Sequence, residues 1–197
     1  MLSLRGLHRL HVGPVSCDIE SGQCVAVMGA SGAGKSVLLR MVADLDPHDG
    51  DAALDGVAAS SIPAPDWRAQ VTYVAADSGW WSQRVADHFP PGADATPFEQ
   101  LGVAPDALDW PVARLSTGER QRLALLRAIT PRTRVLLLDE PTSGLDASNV
   151  VRVEDLLRRL LARGLAIVLV THDAAQATRL AQRHFVLADG RLTEETR

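Results

Sequence analysis

The chain has 197 residues, 46% of them hydrophobic and 22% charged, which is ordinary globular composition, long enough to bury a core without disulfides. Its formal net charge of −4 argues against nucleic acid as a partner, so none is expected. No apolar run approaches the roughly 20 residues needed to span a bilayer, and the first residues lack the apolar core of a signal peptide, so any membrane association is expected to go through a partner protein.

The N-terminal part of the chain is predicted to form short strands. Residues 2–5 and 15–19 alternate between apolar and polar side chains, which indicates a partly exposed antiparallel edge. Residues 23–27 are almost continuously apolar, as in a strand covered on both faces. Cys17 and Cys24 lie in these segments, which predicts buried, reduced thiols in the cytoplasm.

A phosphate-binding loop follows the third of these strands. Its pattern is G-x-x-x-x-G-K-S, formed by Gly29, Ala30, Ser31, Gly32, Ala33, Gly34, Lys35 and Ser36. The glycines let backbone N–H groups turn inward toward phosphate oxygens, and the helix that starts at the lysine adds its positive dipole end. Lys35 would contact the β- and γ-phosphates of a nucleotide, and Ser36 would bind the accompanying magnesium ion.

The middle of the chain differs from the rest in composition. Short strands are predicted at 52–54 and 71–74, and the stretch 75–111 then holds five prolines and three of the four tryptophans. We interpret 77–111 as a small helical insertion within a single domain. The core and an antiparallel β subdomain would occupy 1–76 and 112–197, and the insertion would continue into a helix at 116–129.

The C-terminal part alternates strands with helices. Ser116 and Glu119 have the spacing of a capping box, which predicts the start of a helix. Buried strands are predicted at 134–138 and 165–170, helices at 147–162 and 174–181, and short strands near the end. This alternation predicts an α/β fold with a mainly parallel sheet flanked by helices on both faces.

Polar residues follow two of the predicted buried strands. Asp139 and Glu140 end the first strand, at the sheet edge where ligands bind, so Asp139 would hold magnesium through a water and Glu140 would orient or deprotonate the attacking water. The two acids would alternatively cap the turn before Pro141. His172 follows the second strand and would polarise or sense the γ-phosphate, or would simply be a polar loop residue.

Taken together, the order and spacing of these motifs resemble the nucleotide-binding subunits of ABC transporters. The resemblance rests on the phosphate loop, the Asp139-Glu140 pair, His172 and two further segments. These segments are the signature Leu115-Ser116-Thr117-Gly118-Glu119 and the D-loop Ser143-Gly144-Leu145-Asp146.

The resemblance implies a mechanism for the chain. It implies a P-loop NTPase that hydrolyses ATP with Mg²⁺, catalysed by Lys35, Glu140 and His172, in a head-to-tail dimer with a second copy of itself. Ser116 and Gly118 of one copy would then contact the γ-phosphate held by the other, and Asp146 would lie at the dimer interface. The dimer would work with an integral membrane permease, peripherally on the cytoplasmic face of the inner membrane. Within the family, the chain looks most like small subunits associated with metal or iron efflux.

Several positions depart from the family pattern. Ala76 stands where a magnesium-binding glutamine is usual, so Asp77 is a further candidate metal ligand. Val37 replaces a second hydroxyl at the end of the ATP-binding loop, and Thr117 replaces the second signature glycine, which requires ordinary helical backbone there.

Aromatic residues depart from the pattern as well. The aromatic side chain that usually stacks on adenine is missing, which leaves His8, Arg9 and His11 as candidates. Trp80 and Trp81 lie where the family's membrane partner docks. They are either core of the insertion or exposed anchors for that partner, and we hypothesise the second.

Three classes of function are compatible with the motifs to different degrees. The first is an ATPase that powers solute transport through a separate permease. The second is a soluble ABC-type ATPase in cofactor assembly or regulation, without transport. The third, a P-loop kinase or GTPase, needs neither the signature helix nor His172.

Overall fold

A computed structural model of the chain describes residues 1–91 and 96–195. Within these ranges the strands form two sheets. Residues 92–95 of the predicted insertion lie outside the described residues.

The first sheet is antiparallel and has four strands. They are β1 (Leu2–Arg9), β2 (Val12–Ile19), β4 (Asp49–Leu54) and β5 (Val57–Ala58), in the order β2-β1-β4-β5. The first two strands run further than the sequence pattern predicts, because β1 pairs along its length with both β2 and β4. Leu10, with φ of 53°, makes the tight turn between them.

The second sheet has six strands and carries the candidate site. They are β3 (Cys24–Met28), β6 (Val71–Val74), β7 (Val135–Asp139), β8 (Ala166–Val170), β9 (Arg183–Ala188) and β10 (Arg191–Glu195), in the order β10-β9-β3-β8-β7-β6. All neighbouring pairs are parallel except the antiparallel edge pair of β9 and β10.

The central strands β3, β7 and β8 are buried on both faces, as their uninterrupted apolar sequences predict. Alternate residues of one strand enter different cores: Leu137 packs into the core shared with the antiparallel sheet, whereas Leu136 and Leu138 pack into the core on the opposite side. Both cysteines are free, and burial raises the pKa of Cys24 to about 12, so this thiol is protonated. Cys17 is only half-buried.

Six α-helices surround the sheets in the described ranges. They are α1 (Lys35–Val42), α2 (Ala64–Arg68), α3 (Thr96–Gln100), α4 (Thr117–Ala128), α5 (Ala147–Ala162) and α6 (Ala174–Leu180). In the described part of the insertion predicted at 77–111 the helical segments are short: Val85–His88 and Pro105–Asp109 form 3₁₀ segments, and α3 has five residues. Among the described residues, no helix combines the length and the apolar character that a membrane crossing requires.

Candidate nucleotide-binding site

The carboxyl ends of three adjacent parallel strands meet at one edge of the sheet. The phosphate loop follows β3, His172 follows β8, and Asp139 is the last residue of β7, with Glu140 directly after it. Together they line a cleft of about 280 Å³. The cleft is lined by His11, Ser31, Gly32, Gly34, Lys35, Ser36, Val37, Asp139, Glu140 and His172.

The loop backbone has the conformation that its glycines allow. Gly34 has φ of 98°, and a Cβ there would lie 2.2 Å from Cγ2 of Val12, so no other residue fits without displacement. Gly34 precedes α1, whose first N–H groups lack partners within the helix and therefore suit an anion. The Lys35 ammonium donates to the carbonyl oxygens of Gly29 and Ala30, both at 2.9 Å, which places it over the loop.

Asp139 is held by hydrogen bonds from two different elements. The Ser36 hydroxyl donates to its Oδ2 at 2.6 Å, and the Tyr73 hydroxyl on β6 donates to the same oxygen at 3.0 Å. A hydroxyl beside a carboxylate is the kind of hard oxygen donor set that Mg²⁺ prefers, so these residues fit a magnesium ion carried by a nucleotide. Burial, followed by the negative charge of Asp139, raises the pKa of Tyr73, so the phenol stays a donor.

Sequence reasoning missed Tyr73. The signal was available, because an inward-facing tyrosine in a buried strand needs a partner for its hydroxyl. Which acceptor it reaches depends on the pairing of β6 with β7, where Tyr73 lies opposite Leu137, two residues before Asp139.

Glu140 has a constrained backbone and a polar partner for each of its groups. Its φ of 50° is unusual for a residue with a side chain. Its N–H donates to the Val170 carbonyl at 2.9 Å, and its carbonyl accepts from the Gln121 side chain at 2.8 Å. Its carboxylate Oε1 lies 2.9 Å from Nε2 of His172. At the cleft, the Asp139 carboxylate thus contacts Ser36, and the Glu140 carboxylate contacts His172. This arrangement differs from the alternative in which the two acids cap the turn before Pro141.

Known proteins share both the sequence pattern and the fold of this chain. A sequence profile described as ABC transporter matches residues 12–143. The chain belongs to the ABC transporter family. Membership of this family supports the predicted ATP-binding subunit, its ATP and Mg²⁺ cofactors and its ATPase class, and it removes the kinase and GTPase alternatives.

Curated members of the ABC transporter family align with nearly the whole chain. The aliphatic sulfonates import ATP-binding protein SsuB of Ralstonia nicotianae is 40% identical over 93% of this chain and 66% of its own length. The proteins of the same name from Cupriavidus necator and Pectobacterium atrosepticum are 38% and 35% identical, over 93% and 94% of this chain and 63% and 71% of their own lengths. The chain therefore spans about two thirds of these relatives. Their names give no support to the predicted metal or iron efflux.

Solved structures of ABC cassettes have the same fold. The dimeric post-hydrolysis state of the ATP-binding cassette MJ0796, bound to ADP and Pi, superposes with a TM-score of 0.81 at 23% identity, covering 100% of this chain and 98% of that one. Another dimeric MJ0796 structure gives a TM-score of 0.80. The predicted fold, an α/β P-loop NTPase with an antiparallel β subdomain and a mainly parallel sheet, is confirmed.

The ABC signature lies outside the cleft of its own chain. Ser116 caps α4: its hydroxyl accepts from the Glu119 N–H at 3.2 Å, and the Glu119 carboxylate accepts from the Ser116 N–H at 2.9 Å. This is the capping box that the sequence predicts. Leu115 is buried, whereas Ser116 and Thr117 are exposed and Gly118 is half-buried. Thr117 is the first residue of α4, consistent with the helical backbone expected of a β-branched residue.

The D-loop of the family pattern leads into α5. Ser143 and Gly144 are exposed, and Leu145 packs against Gly118. Asp146 is the N-cap of α5 and accepts from the Ser148 hydroxyl and the Asn149 N–H at 2.7 and 2.9 Å. These hydrogen bonds lower the pKa of Asp146 to about 2, so its carboxylate stays ionised.

The positions that depart from the family pattern lie in different parts of the structure. Ala76 and Asp77 are exposed and are not among the residues that line the cleft, so the structure does not bring Asp77 to Ser36 and Asp139. His8 and Arg9 line a separate hollow beside Pro47. Of the three candidates for stacking on adenine, His11 alone lines the cleft, and it also lines a neighbouring hollow along the loop.

The two tryptophans of the insertion have different environments. Trp81 is 71% exposed, whereas Trp80 is half-buried. The Arg127 guanidinium lies 4.9 and 4.8 Å from the two ring centres, and the His88 ring packs edge-on against both indoles. Trp81 is thus held at the surface by its neighbours, which excludes the alternative that both tryptophans are core.

Proposed function

We propose that the chain binds ATP with Mg²⁺ in this cleft and hydrolyses it in a head-to-tail dimer, driving solute transport through a separate membrane permease. The observation that carries the proposal is the convergence of Lys35, Ser36, Asp139, Glu140 and His172 at one sheet edge in an ABC cassette. The soluble alternative, an ATPase in cofactor assembly or regulation, lacks support from the relatives cited, which are named for import.

The residues of the cleft divide the chemistry among themselves. Lys35 would hold the β- and γ-phosphates, with the loop N–H groups around them. Ser36 and Asp139 would hold the magnesium ion, Asp139 through a water, and the ion would neutralise charge on the leaving phosphate oxygens. Glu140 would accept the proton of the attacking water, and His172, 2.9 Å from its carboxylate, would orient it and reach the γ-phosphate.

The site is completed by a second copy of the chain. Ser116 and Gly118 do not line the cleft that contains Lys35, and Ser116 is exposed at the start of α4. A helix N-terminus offers unpaired N–H groups and a positive dipole end to a phosphate. In the dimer, α4 of one copy would place these groups on the γ-phosphate bound by the other, and Asp146 would lie between the two sites.

The transported solute is proposed to be an aliphatic sulfonate or a similar organic anion, taken up by the cell. The support is the 35–40% identity to subunits named for aliphatic sulfonate import, over nearly the whole chain. Metal or iron export is the competing assignment, suggested by the segments 146–149 and 171–173.

Deleting the gene for this chain is expected to abolish growth on an alkanesulfonate as the only sulfur source, while growth on sulfate stays normal. The physical reason is that uptake of a permanently charged sulfonate requires a driven carrier. A plasmid copy should restore growth, and a copy carrying Lys35→Ala should not. Normal growth on alkanesulfonate, together with increased sensitivity to iron, would instead support export of metal.

Trp81 is proposed to anchor the permease. Large exposed aromatic side chains are enriched at the centres of protein interfaces, and the Arg127 and His88 contacts hold this one in place in the free chain. The chain would then lie peripherally on the cytoplasmic face of the inner membrane.

Replacing Trp81 with Ala is expected to weaken binding to the permease by at least about thirtyfold, because truncating an aromatic anchor typically costs about 2 kcal/mol or more. Binding is measured by co-purification of the permease from membranes of cells that produce both proteins. Val57→Ala is the matched control, since Val57 is also a large exposed apolar residue, 51% accessible, but lies in the antiparallel sheet. Equal recovery of both variants would exclude Trp81 as an anchor.

A further inference from the structure

Asp139 depends on a residue outside the known motifs for its orientation. Its Oδ2 accepts one hydrogen bond from Ser36 of the phosphate loop and one from Tyr73 of β6. Both bonds fall on the same oxygen, and among the described residues no other hydrogen bond or ion pair to the carboxylate is found. Two donors on one oxygen fix the plane of the carboxylate and leave Oδ1 available for a metal-bound water.

The position of Tyr73 is set by the sheet and not by a flexible loop. Tyr73 lies opposite Leu137 in the parallel pair of β6 and β7, and its ring packs against the core shared with α1. Its ring is half-buried, and Tyr73 is not among the residues that line the cleft. A donor carried by a strand loses little conformational entropy when it forms this bond.

The residues downstream of Tyr73 make this contact more significant. Ala76 has no polar side-chain atom with which to bind a metal ion, and Asp77 is exposed and absent from the cleft lining. Ala76 and Asp77, which follow β6, therefore supply no metal ligand at the cleft. Strand β6 does bring a polar group to Ser36 and Asp139. This group is the Tyr73 hydroxyl, which lies 3.0 Å from Oδ2 of Asp139.

We propose that Tyr73 is a positioning residue for magnesium: its hydroxyl holds Asp139 in the orientation that binds the nucleotide's metal ion, and so compensates for the missing amide at Ala76. The inference rests on the proposed function, because it assumes that the cleft binds ATP with Mg²⁺. Tyr73 touches neither nucleotide nor metal ion; it acts through Asp139.

The test compares nucleotide binding with and without magnesium. Tyr73→Phe removes only the hydroxyl and keeps the ring in the core. We expect its affinity for a non-hydrolysable ATP analogue in excess Mg²⁺ to fall about tenfold, the effect of losing a hydrogen bond to a charged group, while affinity in EDTA stays unchanged. Binding is measured by titration calorimetry, so the result does not depend on catalysis.

Two further variants separate positioning from packing. Thr72→Val removes a hydroxyl from the adjacent strand position, where it donates to the Arg68 carbonyl, and should change neither affinity. Ala76→Gln added to Tyr73→Phe should restore part of the magnesium-dependent affinity, because an amide oxygen becomes available again.

Each other result has a defined meaning. Equal losses in Mg²⁺ and in EDTA, or no loss in either, would overturn the role of Tyr73 while leaving the proposed function intact. If the unsubstituted chain bound no nucleotide under either condition, the proposed function would fail and the inference with it.

Discussion

Glu140→Gln is expected to lower the rate of ATP hydrolysis by at least about a hundredfold, the contribution typical of a general base, while leaving ATP binding intact. The amide that replaces the carboxylate cannot accept the proton of the attacking water. It keeps the size of the side chain, and the backbone bonds of residue 140 to Val170 and Gln121 do not involve the carboxylate. The unusual φ of residue 140 should therefore be preserved.

The same variant should accumulate a dimer with ATP. If hydrolysis opens the dimer, a chain that binds but does not hydrolyse ATP stays closed, and size-exclusion chromatography should show a dimer with ATP and a monomer with ADP. Glu99→Gln, on the exposed surface of α3, is the control and should hydrolyse ATP normally and form no stable dimer. Rapid turnover by Glu140→Gln would remove Glu140 as the catalytic base.

Two inactive variants are expected to restore activity when mixed. Lys35→Ala removes the ammonium that holds the phosphates. Ser116→Asp keeps the N-cap, because aspartate is as good a cap as serine, but brings a negative charge toward the γ-phosphate of the other copy. Each variant alone should therefore be nearly inactive.

A mixed dimer contains one complete site, formed by Lys35 of the Ser116→Asp chain and Ser116 of the Lys35→Ala chain. Random assortment makes half of the dimers mixed, so activity should recover to at most about a quarter of the unsubstituted level. Phosphate release from ATP is the measurement, and Ser116→Thr, a neutral cap, is the control that should retain activity. Full turnover by Ser116→Asp alone would contradict the contact between copies.

Prediction from sequence succeeded where the decisive residues are consecutive in the chain. The phosphate loop, the capping box at Ser116 and the acids after a continuous apolar strand are local patterns, and each element forms where it is expected. The order of strands and helices likewise predicts a parallel sheet, because such connections place strand ends at a common edge. The helical segments of the insertion at 77–111 were less predictable from sequence, since such short helical turns show little hydrophobic periodicity.

The sequence by itself determined the family, the fold class and the residues that meet at the carboxyl ends of β3, β7 and β8. Tertiary structure alone decided that Tyr73 reaches Asp139 and that Trp81 is exposed. It also decided that His11 lines the cleft, whereas His8, Arg9 and Asp77 do not. The physical reason is that a motif fixes the local backbone, whereas the partner of a side chain depends on register and packing between segments far apart in the chain.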